Sequence, residues 1–212
     1  MRTQIPVFSA PNPITVYVHT GLALWLSAAV VLSVNGAYDS AVGVLPTTLI
    51  GGIGLPLLVF GGLYATSRNF RDFLLHLDIR PLILLHTWRM LGLGFVFLYF
   101  YDILSGWFAL PAGLGDAATA VGALFLGIAL YTSGTKVSRA MVFWWNTFGL
   151  IDFVIAVSMG VIMRPGMNII HDSLTSRPMG EFPLALIPAF VVPLFILTHV
   201  IIYLQLRHKW GR

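Results

Sequence analysis

Apolar residues run along this chain in six long blocks separated by short polar segments, at about 14–34, 45–66, 82–108, 116–133, 141–163 and 184–206. A bilayer core of about 30 Å takes roughly 20 mostly apolar residues as helix. The pattern therefore predicts an all-α, polytopic integral membrane protein, a six-helix transmembrane bundle. The blocks fill most of 1–212, so the chain reads as a single transmembrane domain with no soluble module. The first block lacks a strongly basic start and runs too long for a cleavable signal peptide.

The polar segments set an orientation. Arg2, Arg68, Arg71, Arg80, Lys136, Arg139, Arg207, Lys209 and Arg212 fall on one side of a six-span topology. The other side carries only Arg164 and Arg177. Basic loop residues are retained in the cytoplasm, so both termini are expected there. A bacterial inner (plasma) membrane is the expected location. Between spans two and three, SRNFRDFLLHLDIR (67–80) has Phe70, Phe73, Leu74 and Leu77 at one-face spacing. This predicts a short amphipathic helix at the interface. LPAGLGD (110–116) reads as a tight external turn, with Asp116 capping the fourth span. The external segment 164–183 is the longest connection, with room for a lid.

Composition agrees. Charged residues make up 9% of the 212 and apolar residues 58%, and mean hydropathy is +0.87. That excludes a soluble globular enzyme and a nucleic-acid-binding module. The absence of cysteine excludes disulfides, thiol catalysis and iron–sulfur clusters. No GxGxxG, P-loop, HExxH or GxSxG pattern occurs. Glycines at 51, 52, 54, 61 and 62, and the pairs Ala118/Gly122 and Ala123/Gly127, predict close helix packing and faces for oligomerisation. Pro188 and Pro193 should bend the last span, and the carbonyls they free need new partners. The six tryptophans read as interfacial belt residues.

Ionisable groups inside a bilayer are costly and need a partner or a task. Counting about 1.5 Å per residue from the span ends puts His19 about 7 Å deep, His86 about 6 Å, His199 about 10 Å and Asn146 about 7 Å, all from the cytoplasmic side. Three histidines on three helices thus share a layer. Arg89 lies one turn beyond His86. Asp152 lies about 16 Å deep, on a stripe formed by Asn146, Gly149, Asp152 and Ala156. Arg89 and Asp152 are the expected ion pair.

The first functional reading is a cytoplasmic-side His cluster. His19, His86 and His199 would be ligands to haem or a transition metal, and Asn146 would line the cofactor site. Arg89 and Asp152 would be the candidate catalytic groups of a membrane-linked redox or other reaction. The alternative is a small-solute or proton-coupled transporter or channel using the same cavity. A third reading is a non-catalytic accessory subunit. Partners would be the lipid bilayer and a small-molecule, quinone or lipid ligand, with no nucleic acid. The sequence leaves open whether the protein is an enzyme.

Overall fold

A computed structural model describes residues 13–132, 137–167 and 170–208. Arg2, Lys136, Lys209, Trp210 and Arg212 lie outside the described residues. The helices are α1 (Pro13–Val34), α2 (Thr47–Thr66), α3 (Arg68–His76), α4 (Ile79–Leu85), α5 (Leu93–Phe100), α6 (Gly106–Thr132), α7 (Arg139–Ile162) and α8 (Val192–His208). A 3-10 segment, His86–Gly92, joins α4 to α5. A π turn, Ile187–Val191, opens α8. Six of these stretches are long and apolar enough to cross a membrane: α1, α2, Ile79–Phe100, α6, α7 and Ile187–His208.

Local chemistry explains the boundaries. Ser67, Asp78 and Ser138 accept from the N–H groups of Phe70, Arg80 and Met141, capping α3, α4 and α7. At the other end of α2, Arg71 donates to the carbonyls of Tyr64 and Ala65, which a helix terminus leaves unpaired. α3 is amphipathic as its spacing predicts. It buries Phe70 and Leu74 against Ile201 of α8, while buried Gln205 donates to the carbonyls of Leu74 and Leu77.

Two boundaries depart from the sequence expectation. The third span ends at Phe100, and the turn falls at 101–105, where Asp102 takes φ 57°. The fourth span starts at Gly106, so 110–116 is helix, with Pro111 inside it. Ser105 supplies the stop and the start. Its hydroxyl accepts from the Trp107 N–H and donates to Asp172 at 2.6 Å. The described residues of segment 164–183 are folded against this end of the bundle. Ser176 N–H donates to the Met163 carbonyl, Ser176 Oγ donates to the Gly160 carbonyl, and Met179 is buried.

The third span, α6, α7 and α8 form the core, with α6 packed along the third span and on α7. α1 and α2 are peripheral: α1 buries only Ala29 and Ser33, and α2 only Leu49. α1 is tied to α8 by one polar contact of note. Pro193 has no N–H for the carbonyl four residues back, and Trp25 Nε1 donates to that carbonyl, Ala189 O, at 3.2 Å. Trp25→Phe keeps the ring beside Phe190 and removes the donor. It is expected to cost about 1 kcal/mol in thermal unfolding of the purified protein.

Candidate functional site

Along three core helices, polar residues sit between two apolar clusters. One cluster contains Ile83, Ala123, Leu126, Val142 and Trp145; the other contains Phe95, Phe108, Ala109, Ala112 and Met163. Between them fall His86 and Arg89 on the third span, Asp116 and Thr119 on α6, and Asn146 and Asp152 on α7, joined by Thr198 and His199 of α8. His86, Thr119, Asn146 and His199 are fully buried, and Arg89 is 2% exposed. A 3-10 helix has three residues per turn, which aligns i, i+3 and i+6. His86, Arg89 and Gly92 therefore line one face, and they are the buried residues of that segment.

Arg89 is the centre. Its Nε donates to Asp116 Oδ1 at 2.6 Å, and Nη2 donates to Asp152 Oδ2. Nη1 reaches the Gly149 carbonyl at 3.2 Å and His199 Nε2 at 3.0 Å. The guanidinium carbon sits 3.8 Å from the Phe153 ring centroid. The hydrogen bonds then fix the imidazoles. Arginine only donates, so His199 Nε2 accepts and Nδ1 carries the proton, which it gives to Asn146 Oδ1 at 2.7 Å. Asn146 Nδ2 donates back to the His199 carbonyl at 3.1 Å. Thr198 donates to the Phe195 carbonyl, so its oxygen accepts from His86 Nε2 at 3.0 Å. His86 Nδ1 is buried without a hydrogen-bond partner. The His86 and His199 rings pack at a 3.9 Å centroid separation, tilted by 33°, and Trp145 packs edge-on to His86.

Glycines make the room. A Cβ at Gly115 would run into the Asp152 carboxylate, one at Gly92 into Asp116, and one at Gly149 would lie 2.6 Å from His199 Cε1. Gly115→Ala therefore displaces Asp152 from Arg89. It is expected to cost about 1–3 kcal/mol by overpacking, seen as a lower unfolding temperature and impaired function, whereas Gly51→Ala, at a position with open space around it, leaves both unchanged.

The site differs from the sequence expectation in three respects. His86, Arg89, Asn146, Asp152 and His199 do converge, with Arg89 and Asp152 paired as anticipated. His19 does not join them: it is exposed, and its Nδ1 lies 2.7 Å from the Thr15 carbonyl of its own helix. The three-histidine ligand set is thus not formed, and the described residues hold no group of three His, Cys, Asp or Glu side chains suited to a metal ion. Both His199 ring nitrogens are engaged, one of them by a guanidinium that repels a cation. Within the converged cluster, and among the described residues, the one imidazole nitrogen without a partner is His86 Nδ1. Asp116, read as a solvated cap, is instead the second carboxylate on Arg89. The signal for it was the small and polar stripe Ala109, Ala112, Gly113, Asp116, Thr119, Ala120 and Ala123, whose spacing of three and four continues through 110–116.

Asp116 also forms the deep end of a cavity. The cavity, open on one side, is walled by Phe153, Ala156, Val157, Gly160 and Val161 of α7, Phe108 and Ala112 of α6, Leu49, Ile50 and Ile53 of α2, and residues of the π turn. The walls are apolar. At the opposite end stand Arg164 and Ser176.

The fold and site define a helical bundle with six stretches long and apolar enough to cross a membrane and a buried charge cluster at its core. Residues 46–207 match the model of the family described as Domain of unknown function (DUF8737), and the chain belongs to that family. No curated protein and no solved structure matches the chain. The matched stretch contains every residue of the charge cluster and excludes His19.

Proposed function

We propose that the protein is a proton-coupled carrier of a small apolar or amphiphilic molecule, with Arg89, Asp116 and Asp152 as its proton-linked centre. The observation that carries this reading is two aspartates from different helices sharing one buried arginine, one of them opening onto an apolar cavity. One guanidinium faces two carboxylates, so uptake of a single proton brings the cluster to formal neutrality. Intramembrane charges that pair yet remain reachable from a cavity are typical of proton relays. In the proposed topology both termini are cytoplasmic, and the Arg164 end of the cavity faces outward. The engagement of both His199 nitrogens weighs against the haem or metal reading, and the task of that ring here is to orient Arg89 and Asn146. The pinning of spans by an inert ion pair explains the Arg89–Asp152 contact but not the second carboxylate at the cavity.

The test is reconstitution into liposomes that enclose a pH-sensitive dye, with an imposed pH gradient and a panel of apolar and amphiphilic solutes supplied one at a time. Lumenal pH should change faster than in protein-free liposomes when the right solute is present. Proton movement no faster than in protein-free liposomes across the whole panel would overturn the proposal.

A further inference from the structure

The loop end of the cavity carries a second buried arginine that the charge cluster does not use. Arg164 is 2% exposed and lines the cavity. Its Nη2 donates to Ser40 at 2.7 Å, and the nearest Asp39 oxygen is 3.8 Å away, beyond hydrogen-bond range. Asp39 Oδ2 accepts from Arg177 at 3.0 Å, and Asp39 Oδ1, the oxygen that faces Arg164, makes no hydrogen bond among the described residues. Arg164 Nη1 is buried without any hydrogen-bond partner among the described residues, beside the Cα of Gly180. Burial lowers the Arg164 pKa from its ordinary value, opposed by Asp39. A buried guanidinium N–H without an acceptor is costly and asks for one.

Between Arg164 and Asp116 the cavity walls are hydrocarbon. The α7 wall is Phe153, Ala156, Val157, Gly160 and Val161, a single face spaced i, i+3, i+4, i+7, i+8. Eight residues at about 1.5 Å give an apolar run of about 12 Å. Val157 and Val161 of α7 and Ile50 and Ile53 of α2 are only partly covered, and α2 packs mainly on the last span. The cavity's open side therefore faces the bilayer in the proposed topology. We infer that this cavity binds a single-chain amphiphile with an oxyanion head, carboxylate or phosphate, the head on Arg164 and the chain lying between α2 and α7 toward Asp116. Guanidinium is the side chain suited to forked recognition of both oxyanions. The apolar track is a single face of α7 opposite α2, which fits one alkyl chain. The inference names the ligand class of the carrier proposed above and rests on that reading for its transport role; binding and flux are measured separately, so the two fail separately.

The experiment is photolabelling of the full-length protein in lipid nanodiscs with a diazirine-bearing dodecanoate, with labelled peptides mapped by mass spectrometry. Label is expected on the Phe153–Val161 face and on Phe108. Dodecanoate or dodecyl phosphate should compete, and the more effective of the two identifies the head. Dodecanol and dodecyltrimethylammonium, with the same chain, should not compete. Arg164→Gln should weaken competition tenfold or more. If that variant fails to fold, Ile53→Trp fills the cavity from the peripheral α2 while leaving Arg164 in place, and it should abolish the label. Equal competition by dodecanol, label confined to other surfaces, or unchanged labelling in a folded Arg164→Gln or Ile53→Trp protein would overturn the inference. Binding without flux would leave this site standing and remove the carrier.

Discussion

Arg89→Gln is expected to be the most damaging single substitution, costing about 3–5 kcal/mol and eliminating coupled transport. The reason is the isolation of what remains. Asp116 and Asp152 both depend on this guanidinium, and the other arginine of the cavity, Arg164, stands at its opposite end. Breaking a buried pair by removing one partner leaves uncompensated charge, and such losses run to about 3–5 kcal/mol. The change also takes a donor from the Gly149 carbonyl and from His199 Nε2. Thermal unfolding of the purified variant measures the first effect, and the liposome pH assay measures the second.

A companion variant separates charge from packing. Arg89→Gln combined with Asp116→Asn and Asp152→Asn removes all three formal charges while nearly conserving shape. Stability should return toward that of the unmodified protein, since replacing every member of a buried ionic group by neutral isosteres is often close to neutral. Coupling should not return. A triple variant that regained both would mean that the cluster holds helices together and nothing more; one that regained neither would place the main cost in lost packing around Phe153.

The apolar blocks made six helices long and apolar enough to cross a membrane legible, because that length and hydrophobicity are written directly into the chain. The α3 helix was legible for a similar reason: Phe70, Phe73 and Leu74 share one face, continued by Leu77 just past its end. The Arg89–Asp152 pair followed from an economy of charge, with a single interior arginine on one span and a near-midplane aspartate on another. Other features were hidden because they are set by tertiary context. Pro111 and its neighbouring glycines have the composition of a turn, yet in a packed membrane helix their small size allows close approach and the lost bond is tolerated. That misplacement moved Asp116 to a surface edge and concealed its role. Depth along a span fixes a layer but not an azimuth, so His19 shared a layer with His86 and His199 while pointing away from them. The 3-10 segment that aligns His86 with Arg89 leaves no compositional mark.

Asp116→Asn is expected to uncouple the protein without unfolding it. Asp116 and Asp152 are not equivalent. The Asp116 side chain is 16% exposed and lines the cavity, whereas Asp152 is 6% exposed and held against Gly115 and Arg89. An asparagine oxygen still accepts from Arg89 Nε, and Asp152 alone balances the guanidinium, so the site remains neutral and filled. Stability should be equal to or above that of the unmodified protein, because no charge is left unpaired. What disappears is the carboxylate at which proton and ligand chain meet. Net solute movement driven by a pH gradient should fall at least tenfold, toward the protein-free background. Exchange of labelled for unlabelled solute across the same membrane, which needs no net proton transfer, should persist. Asp152→Asn should impair both, since Asp152 also fixes the arginine in place. If Asp116→Asn transported down a pH gradient as well as the unmodified protein, the second carboxylate would be a structural partner of Arg89, and proton coupling would have to reside elsewhere.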